Sequence, residues 1–191
     1  FLDQRLNHAA MEHISKGSRV LDCFTHTGGF ALHAAKYGAS EVLGLDISEE
    51  AVALAKSNAK LNGMEATVQF KPANVFDFLA GPVKDSGRWD VIVLDPPAFA
   101  KSRSALDGAV RGYKEINLRA MKALPPGGFL VTCSCSQHML PELFRKTIAD
   151  AARDAHRELR EVFSGSQPPD HPIHWAIPET HYLKCLVLQV L

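Results

Sequence analysis

The strongest constraint on the fold of this chain is a regular alternation of short apolar runs with amphipathic segments. The first five apolar runs lie at residues 18–24, 41–45, 67–70, 90–94 and 129–133. Near-continuous apolar runs are typical of strands that are buried on both faces of a sheet. Strands that alternate with helices therefore predict an α/β fold, a doubly wound and mostly parallel sheet.

Helical segments separate these runs. Ser48 is a good N-cap, and the helix that it starts is predicted to stop at Asn62-Gly63. Residues 3–15 are predicted to form one amphipathic helix, with Leu6, Ala10, His13 and Ile14 near one face. Further helices are predicted at 30–37, 113–123 and 141–157, and two more strands at 159–163 and 184–190.

The charges of the 191 residues balance, with 21 Lys and Arg against 21 Asp and Glu. A neutral total excludes tight nucleic-acid binding through bulk charge, but it leaves room for a local basic patch. The stretch 101–122 holds six basic residues and two acidic ones. This stretch is either a rim that contacts phosphates or a solvated helix face.

The four cysteines contain no C-x-x-C pair, so free thiols in a reducing compartment are expected. No apolar run approaches the roughly 18 residues of a membrane span, and the N-terminal residues lack the apolar region of a signal peptide. We therefore expect a cytoplasmic protein that does not enter a membrane. Because the sequence begins with Phe1 rather than Met, we expect a piece of a longer protein.

Chemistry-bearing residues follow the predicted strands, and open α/β sheets bind ligands at the carboxyl ends of their strands. The first run leads into Asp22-Cys-Phe-Thr-His-Thr-Gly28-Gly29, where adjacent glycines allow close approach of a ligand to the backbone. The second run leads to Asp46, where an acid can bind ribose hydroxyls. Because G-x-G-x-x-G is absent, a nucleoside site is favoured over a pyrophosphate site; a plain turn with a helix cap is the alternative.

Two more clusters follow the fourth and fifth runs. Asp95-Pro96-Pro97 places an acid in a stiff loop, where it can accept a hydrogen bond from a base or stay solvated. Cys133 and Cys135 are predicted to share one face of the fifth strand. Each thiol is either a nucleophile with a lowered pKa or a small buried residue.

The histidines and cysteines give little support for a metal centre. His171, His174 and His181 lie in a Pro-rich loop, where ordinary polar loop residues are the simpler interpretation. A Cys133-x-Cys135 pair would need further ligands at a fitting distance. We therefore predict no metal site.

Taken in order, these clusters resemble the class I S-adenosylmethionine-dependent methyltransferases. The chain is more narrowly similar to the bacterial 23S ribosomal RNA cytosine-C5 methyltransferase family, whose full-length members carry an N-terminal PUA domain. The motifs that carry the resemblance are FLDQR (1–5), VLDCFTHTGGFALHAA (20–35), GLDIS (44–48), DVIVLDPPAFAKS (90–102), GYKEINLRAM (112–121), GGFLVTCSCS (127–136) and PPDHP…PET…YLKC (168–185).

The resemblance implies an architecture and partners. The fold would be a Rossmann-like, seven-stranded, mostly parallel sheet with the last strand antiparallel and helices on both faces. Residues 1–191 would be the catalytic domain, without the N-terminal RNA-binding region. S-adenosylmethionine would be the cofactor and ribosomal RNA the substrate, and the resemblance leaves room for a homodimer.

The resemblance also implies roles for particular residues. The methionine end of the cofactor would contact the Asp22 turn, its ribose would contact Asp46, and its adenine would contact Ile47 and Asn74. The full cofactor set would be Gln4, Arg5, Asp22, Phe24, Thr25, Gly28, Asp46, Ile47, Asn74 and Asp95. The T-C-S at 132–134 is similar to a nucleophile motif, which implies catalytic roles for Cys133 and for the base-binding Asp95. The substrate would contact Pro96, Pro97, Phe99, Lys101 and Arg103.

The implied reaction methylates C5 of a cytosine that is flipped out or single-stranded. The Cys133 thiolate would add to C6, and a base would later remove the C5 proton. An RNA guanine N-methyltransferase of the D-P-P-x-F type is an alternative. A nucleotide-binding or assembly domain without catalysis is another, and a small-molecule methyltransferase is a third.

Overall fold

The computed structural model describes residues 1–80, 88–100 and 102–191. Its strands are β1 (Arg19–Cys23), β2 (Glu41–Asp46), β3 (Val68–Pro72), β4 (Val91–Leu94), β5 (Phe129–Ser134), β6 (Leu159–Gly165) and β7 (Lys184–Val190). They form one seven-stranded sheet in the order β3-β2-β1-β4-β5-β7-β6. Only β7 runs antiparallel to its neighbours, β5 and β6. The predicted sheet, including its antiparallel last strand, is confirmed.

Helices cover both faces of this sheet, as predicted. They are α1 (Arg5–Ala9), α2 (Glu12–Ser15), α3 (Gly29–Lys36), α4 (Glu49–Leu61), α5 (Val75–Leu79), α6 (Leu106–Ala123) and α7 (Pro141–Ala155). One apolar core lies under α2, α3 and α4 and includes Phe30 and Val52. The other lies under α5, α6 and α7 and includes Ile116 and Ile148. No helix among the described residues is both long and apolar enough to cross a membrane.

The prediction of one helix over residues 3–15 is wrong. A 3-10 turn at Leu2–Gln4, α1 and α2 replace it, and the predicted apolar face is not buried as a unit. Leu6 is 51% exposed, whereas the polar side chains of Gln4 and Asn7 are buried. The amide of Asn7 donates to Gln4 Oε1 at 2.7 Å, so buried hydrogen bonds outweigh the apolar pattern here.

One helix boundary and one short helix also differ from the prediction. Helix α6 begins at Leu106, seven residues before the predicted start at Tyr113. The sequence pattern missed this first half because Gly108 and Gly112 lower its helix propensity. Helix α5 is absent from the prediction because it is only five residues long. The Ser48 cap is confirmed, since its hydroxyl accepts a hydrogen bond from the Ala51 N–H at 3.1 Å.

The topology brings the chemistry-bearing segments to one edge of the sheet. Cys23 at the end of β1 lies beside Leu94 of β4, and Leu94 lies beside Thr132 of β5. Strand β6 points the same way as β5, because both are antiparallel to β7. The segments after β1, β2, β4, β5 and β6 therefore all leave the sheet at its carboxyl edge.

Candidate active site

Asp22 anchors the turn that follows β1. Its Oδ2 accepts hydrogen bonds from the Thr25 hydroxyl at 2.6 Å and from the Ala31 N–H at 3.0 Å. Its other carboxyl oxygen is buried without a hydrogen-bond partner among the described residues. Burial raises the pKa of Asp22 to about 7, although both hydrogen bonds favour the ionised form. This turn therefore presents a carboxyl that a positively charged or hydrogen-bonding ligand would stabilise.

The backbone of the same turn adopts a conformation that few residues tolerate. Phe24 has φ of +63° and Gly28 has φ of +89°. A Cβ at Gly28 would lie 2.9 Å from the ring of Phe70, so this position requires glycine. The strained turn directs the Phe24 ring towards Phe76 and Phe99, with a centroid distance of 6.5 Å to each.

Asp46 ends β2 and faces the same turn. Its carboxylate accepts hydrogen bonds from the His26 N–H at 2.9 Å and the Ser48 N–H at 3.0 Å. The next residue, Ile47, is 75% exposed. An acid beside an exposed apolar side chain forms a surface that suits a nucleoside, with ribose on the acid and base on the apolar group.

Asn74 ends the loop after β3, where the resemblance implies a contact with adenine. Its amide oxygen accepts a hydrogen bond from the Phe76 N–H at 2.9 Å and so caps α5. The side chain thus has a structural task in addition to the implied one. The adenine contact stays a prediction.

Asp95 lies in the D-P-P loop (residues 95–100), which follows β4. Its Oδ1 accepts a 2.9 Å hydrogen bond from the Gln4 side-chain amide. Loss of hydration raises the pKa of Asp95 to about 7, and the hydrogen bond from Gln4 partly opposes this shift. The N-terminal segment therefore closes over the loop, with Gln4 in direct contact with the predicted base-binding acid.

Arg5, the neighbour of Gln4, makes a different contact. Its guanidinium donates to Asp170 at 2.9 Å and to the Leu2 carbonyl at 3.0 Å. These bonds tie the N-terminal segment to the loop between β6 and β7. The cofactor role of Arg5 stays a prediction.

The predicted substrate-binding residues lie around the D-P-P loop. Pro96 is buried and Pro97 exposed, while the half-buried Phe99 packs on Tyr113 at a centroid distance of 4.7 Å. Arg103 is exposed in a 3-10 turn before α6. Lys101 lies outside the described residues.

Part of the basic stretch 101–122 has a structural task. Lys114 forms an ion pair with Asp154 at 2.7 Å. Arg119 pairs with Glu115 and also donates to the Phe76 carbonyl, both at 2.6 Å. These two cations therefore brace α6 against α7 and α5, which leaves the exposed Arg103 as a better candidate for an RNA contact.

The two candidate thiols do not share one strand face, and this part of the prediction is wrong. Strand β5 ends at Ser134, so the alternation of faces stops before Cys135. Cys133 is fully buried opposite Cys185 of β7, and burial raises the pKa of its thiol well above the usual range. Cys135 is half-buried, and its Sγ lies 3.9 Å from the Pro96 carbonyl oxygen. Cys135 thus borders the D-P-P loop at the edge of the sheet, whereas Cys133 lies in the core beside Gln4.

The structure gives no metal centre among the described residues, since no group of three or more His, Cys, Asp or Glu side chains there is arranged to hold an ion.

A family model described as S-adenosylmethionine-dependent methyltransferase matches residues 1–187. The chain belongs to this family. S-adenosylmethionine is the cofactor of this methyltransferase.

The similar proteins include curated relatives named ribosomal RNA large subunit methyltransferase I. The Aeromonas hydrophila protein is 48% identical over 190 residues, which cover 99% of this chain and 48% of that protein. The Shewanella denitrificans protein is 48% identical over 192 residues, with 100% and 48% coverage. The methyltransferase chain therefore spans about half the length of these relatives.

Solved structures share the fold. A Streptococcus mutans protein described as a SAM-dependent methyltransferase has a TM-score of 0.85 and 23% identity, and the match covers 100% of this chain and 49% of that one. TrmN from Thermus thermophilus has a TM-score of 0.67 and 20% identity, with 99% and 53% coverage. A similar methyltransferase structure contains SAH, at a TM-score of 0.85.

The residues at the sheet edge fit this cofactor. Asp22 offers a buried oxygen without a partner among the described residues, and Asp46 and Ile47 offer an acid beside an exposed apolar group. Burial raises the pKa values of Asp22 and Asp95 to about 7, and a cation nearby would offset this shift by stabilising their ionised forms. S-adenosylmethionine carries such positive charge on its sulfonium and its amino group.

The sequence interpretation missed two residues of this site. Lys184 is buried beside Cys135, and the Ser136 hydroxyl donates to the Ala100 carbonyl at 3.0 Å. The available signal was a single lysine at the start of the mostly apolar strand β7. Ser136 had no distinguishing signal, because its partner is 36 residues away.

Proposed function

We propose that this methyltransferase transfers a methyl group from S-adenosylmethionine to C5 of a cytosine in ribosomal RNA, through a cysteine adduct at C6. The observation that carries the proposal is the half-buried Cys135, whose Sγ lies 3.9 Å from Pro96 O in the D-P-P loop. The names of relatives that are 48% identical support ribosomal RNA as the substrate class. A ribosomal substrate would place the protein in the cytoplasm, and a homodimer stays a prediction.

The cofactor would lie along the ends of β1, β2 and β3. Asp22, Phe24, Thr25 and Gly28 would line its methionine end, Asp46 would hold its ribose, and Ile47 would pack on its adenine. When bound, S-adenosylmethionine supplies an electrophilic methyl group. Asp22 and Asp95 would ionise more readily beside its positive charge, because opposite charges favour the ionised form of a carboxyl.

We assign the nucleophile to Cys135 rather than to Cys133, for which the sequence motif argues. Cys133 is fully buried in β5, between β4 and β7, so a cytosine could reach its sulfur only if the side chains packed over it moved aside. Cys135 lies beyond the end of β5, on the segment that borders the D-P-P loop. Its partial exposure and its neighbours support this assignment.

The proposed reaction uses the groups as follows. The Cys135 thiolate forms a bond to C6 of cytosine, which makes C5 a nucleophile that takes the methyl group. Asp95 holds the N3/N4 edge of the base. A base then removes the C5 proton, and the S–C6 bond breaks with its electron pair returning to sulfur. Because the base must leave its stack to reach Cys135, the target is an unpaired or flipped-out cytosine.

A trapping experiment tests this proposal. Ribosomal RNA transcripts that carry 5-fluorocytosine should form an adduct that survives denaturing electrophoresis, because fluorine at C5 cannot leave as a proton does. The adduct should disappear in Cys135→Ala and persist in Cys133→Ala; the reverse pattern would return the role to Cys133.

The same experiment separates the alternatives. Methylation of unmodified RNA without any adduct would remove covalent catalysis, and a guanine product identified by mass spectrometry would establish the N-methyltransferase. Binding of SAH without transfer to naked or assembled ribosomal RNA would favour a domain without catalysis.

A further inference from the structure

Lys184 occupies an unusual position for a charged residue. It begins β7, pairs in register with Ser134 of β5, and is only 5% exposed. Its Nζ donates to the Ser136 carbonyl at 2.7 Å and to the Tyr182 carbonyl at 2.9 Å. Lys184 therefore interacts with the residues on both sides of Cys135: it pairs with Ser134 in the sheet and donates a hydrogen bond to Ser136.

This ammonium has no carboxylate partner among the described residues, where the ion pairs involve other side chains. Neutral carbonyls only partly compensate the loss of water around a buried charge. Burial accordingly lowers the pKa of Lys184 to about 8. A neutral donor could satisfy these two carbonyls, so the positive charge of Lys184 calls for another explanation.

The contacts of Lys184 also fix the segment that carries the thiol. Ser136 accepts from Lys184 through its carbonyl and donates through its hydroxyl to Ala100 in the D-P-P loop. Cys135 Sγ in turn lies 3.9 Å from Pro96 O in the same loop. Lys184 thus holds the position from which Cys135 faces Asp95 and Pro96.

The charges around Cys135 oppose its ionisation, with one exception. Burial raises the pKa of Cys135, the charges of Asp95 and Asp3 raise it further, and the charge of Lys184 lowers it. Burial raises the pKa values of the Tyr113 and Tyr182 phenols, and the charge of the Cys135 thiolate raises them further. Arg145 and His181 share a cavity of about 250 Å³ with Lys184, but Arg145 is paired with Glu161.

We propose that Lys184 is a positioning residue for the nucleophile: it fixes the Cys135 segment through the Ser136 carbonyl and supplies the positive charge that stabilises the Cys135 thiolate. This inference rests on the proposed function, in which Cys135 attacks C6. Lys184 neither adds to the base nor takes the C5 proton in this role, which it performs as the ammonium form below its pKa of about 8.

The test measures the thiol directly, without RNA or cofactor. Alkylation of Cys135 by iodoacetamide is followed between pH 6 and 10 by peptide mass spectrometry in wild type, Lys184→Met, Lys184→Gln and Lys184→Arg. Loss of the charge should move the alkylation profile to higher pH by at least about one unit, so the rate at pH 7.5 should fall roughly tenfold in Met and Gln variants. Lys184→Arg should keep a profile near that of wild type, and Lys60→Met, a change on the exposed end of α4, serves as the control.

Two further readouts separate this role from a structural one. In methylation of ribosomal RNA, Lys184→Gln should lower kcat and leave the KM for RNA unchanged. Gln retains N–H donors for the carbonyls, so it keeps the measurement possible if Met prevents folding. A folded Lys184→Gln with the wild-type alkylation profile would overturn the inference, while a shifted profile in a protein that forms no fluorocytosine adduct would overturn only the proposed function.

Discussion

The side-chain amide of Gln4 donates a 2.9 Å hydrogen bond to Oδ1 of Asp95, 91 positions further along the chain. The oxygen of the same amide accepts from Asn7 at 2.7 Å, so Gln4 is satisfied at both ends while it is almost fully buried. The N-terminal segment is therefore part of the site and orients the acid that is predicted to hold the base.

Replacing Gln4 by Leu should lower the free energy of unfolding by about 1–3 kcal/mol, because the carboxyl of Asp95 and the amide of Asn7 both lose a buried partner. Urea denaturation of both proteins at pH 7 measures this loss. Arg5→Leu is the matched control, since it removes an exposed ion pair with Asp170, worth about 0–1 kcal/mol, and an exposed hydrogen bond to the Leu2 carbonyl. Equal losses for the two variants would contradict a special role for the Gln4 contact.

Asp95 should make the protein less stable as the pH rises. Its pKa is raised from 3.8 to about 7 in the folded chain, so between these values the folded state keeps a proton that the unfolded state has lost. The stability contribution is therefore full below pH 3.8 and is lost as the pH rises to about 7. Asp95→Asn should flatten this decline and stabilise the protein at pH 8 by on the order of 1–3 kcal/mol, as measured by denaturation between pH 4 and 8.

Asp90 provides a control of the opposite sign for that titration. Its hydrogen bonds with Arg19 lower the pKa of Asp90, so its contribution is present at neutral pH and is lost as the pH falls below the usual value of 3.8. Asp90→Asn should therefore destabilise the protein at pH 7. If Asp95→Asn were destabilised at pH 8, Asp95 would instead be ionised and stabilised by a partner in the folded protein.

The two glycines Gly44 and Gly108 should respond in opposite ways to replacement by Ala. A Cβ on Gly44 in β2 would lie 2.5 Å from Cε1 of Phe70 and 2.9 Å from the Thr25 hydroxyl, so Gly44→Ala should destabilise the protein by about 1–3 kcal/mol. A Cβ on Gly108 in α6 would meet only Arg111 Nη2, at 3.9 Å, so Gly108→Ala should stabilise it by about 0.5–1 kcal/mol. Thermal unfolding of both variants checks the two signs, and a stabilised Gly44→Ala would show that β2 can move away from Phe70.

The sheet and the position of the site could be predicted because they depend on local patterns. Apolar runs such as 41–45 and 90–94 record burial on both faces, and the acids at Asp46 and Asp95 record where the strands end. The Ser48 cap is equally local, since its hydroxyl and the Ala51 N–H lie three residues apart. Such signals need no knowledge of the rest of the chain.

The features that the sequence did not reveal depend on distant partners. Gln4 is buried because Asp95 accepts its hydrogen bond, and Lys184 is buried because carbonyls of other segments receive its ammonium. The prediction that Cys133 and Cys135 share one strand face was wrong for a related reason. Strand β5 ends at Ser134, so Cys133 stays in the core and Cys135 lies beyond the strand.

Asp46 should be the residue whose loss most weakens cofactor binding without harming the core. Its carboxylate fixes the His26 and Ser48 N–H groups and, in the proposed site, also holds the ribose hydroxyls. Asp46→Ala removes a charged acceptor worth about 1.5–3 kcal/mol, which corresponds to a loss of SAH affinity of roughly 10- to 150-fold by calorimetry. Glu49→Ala removes an exposed acid three residues away, in the first turn of α4, and should leave the affinity for SAH near that of wild type. An Asp46→Ala protein that binds SAH as tightly as wild type, with an unchanged unfolding transition, would place the ribose elsewhere on the sheet edge.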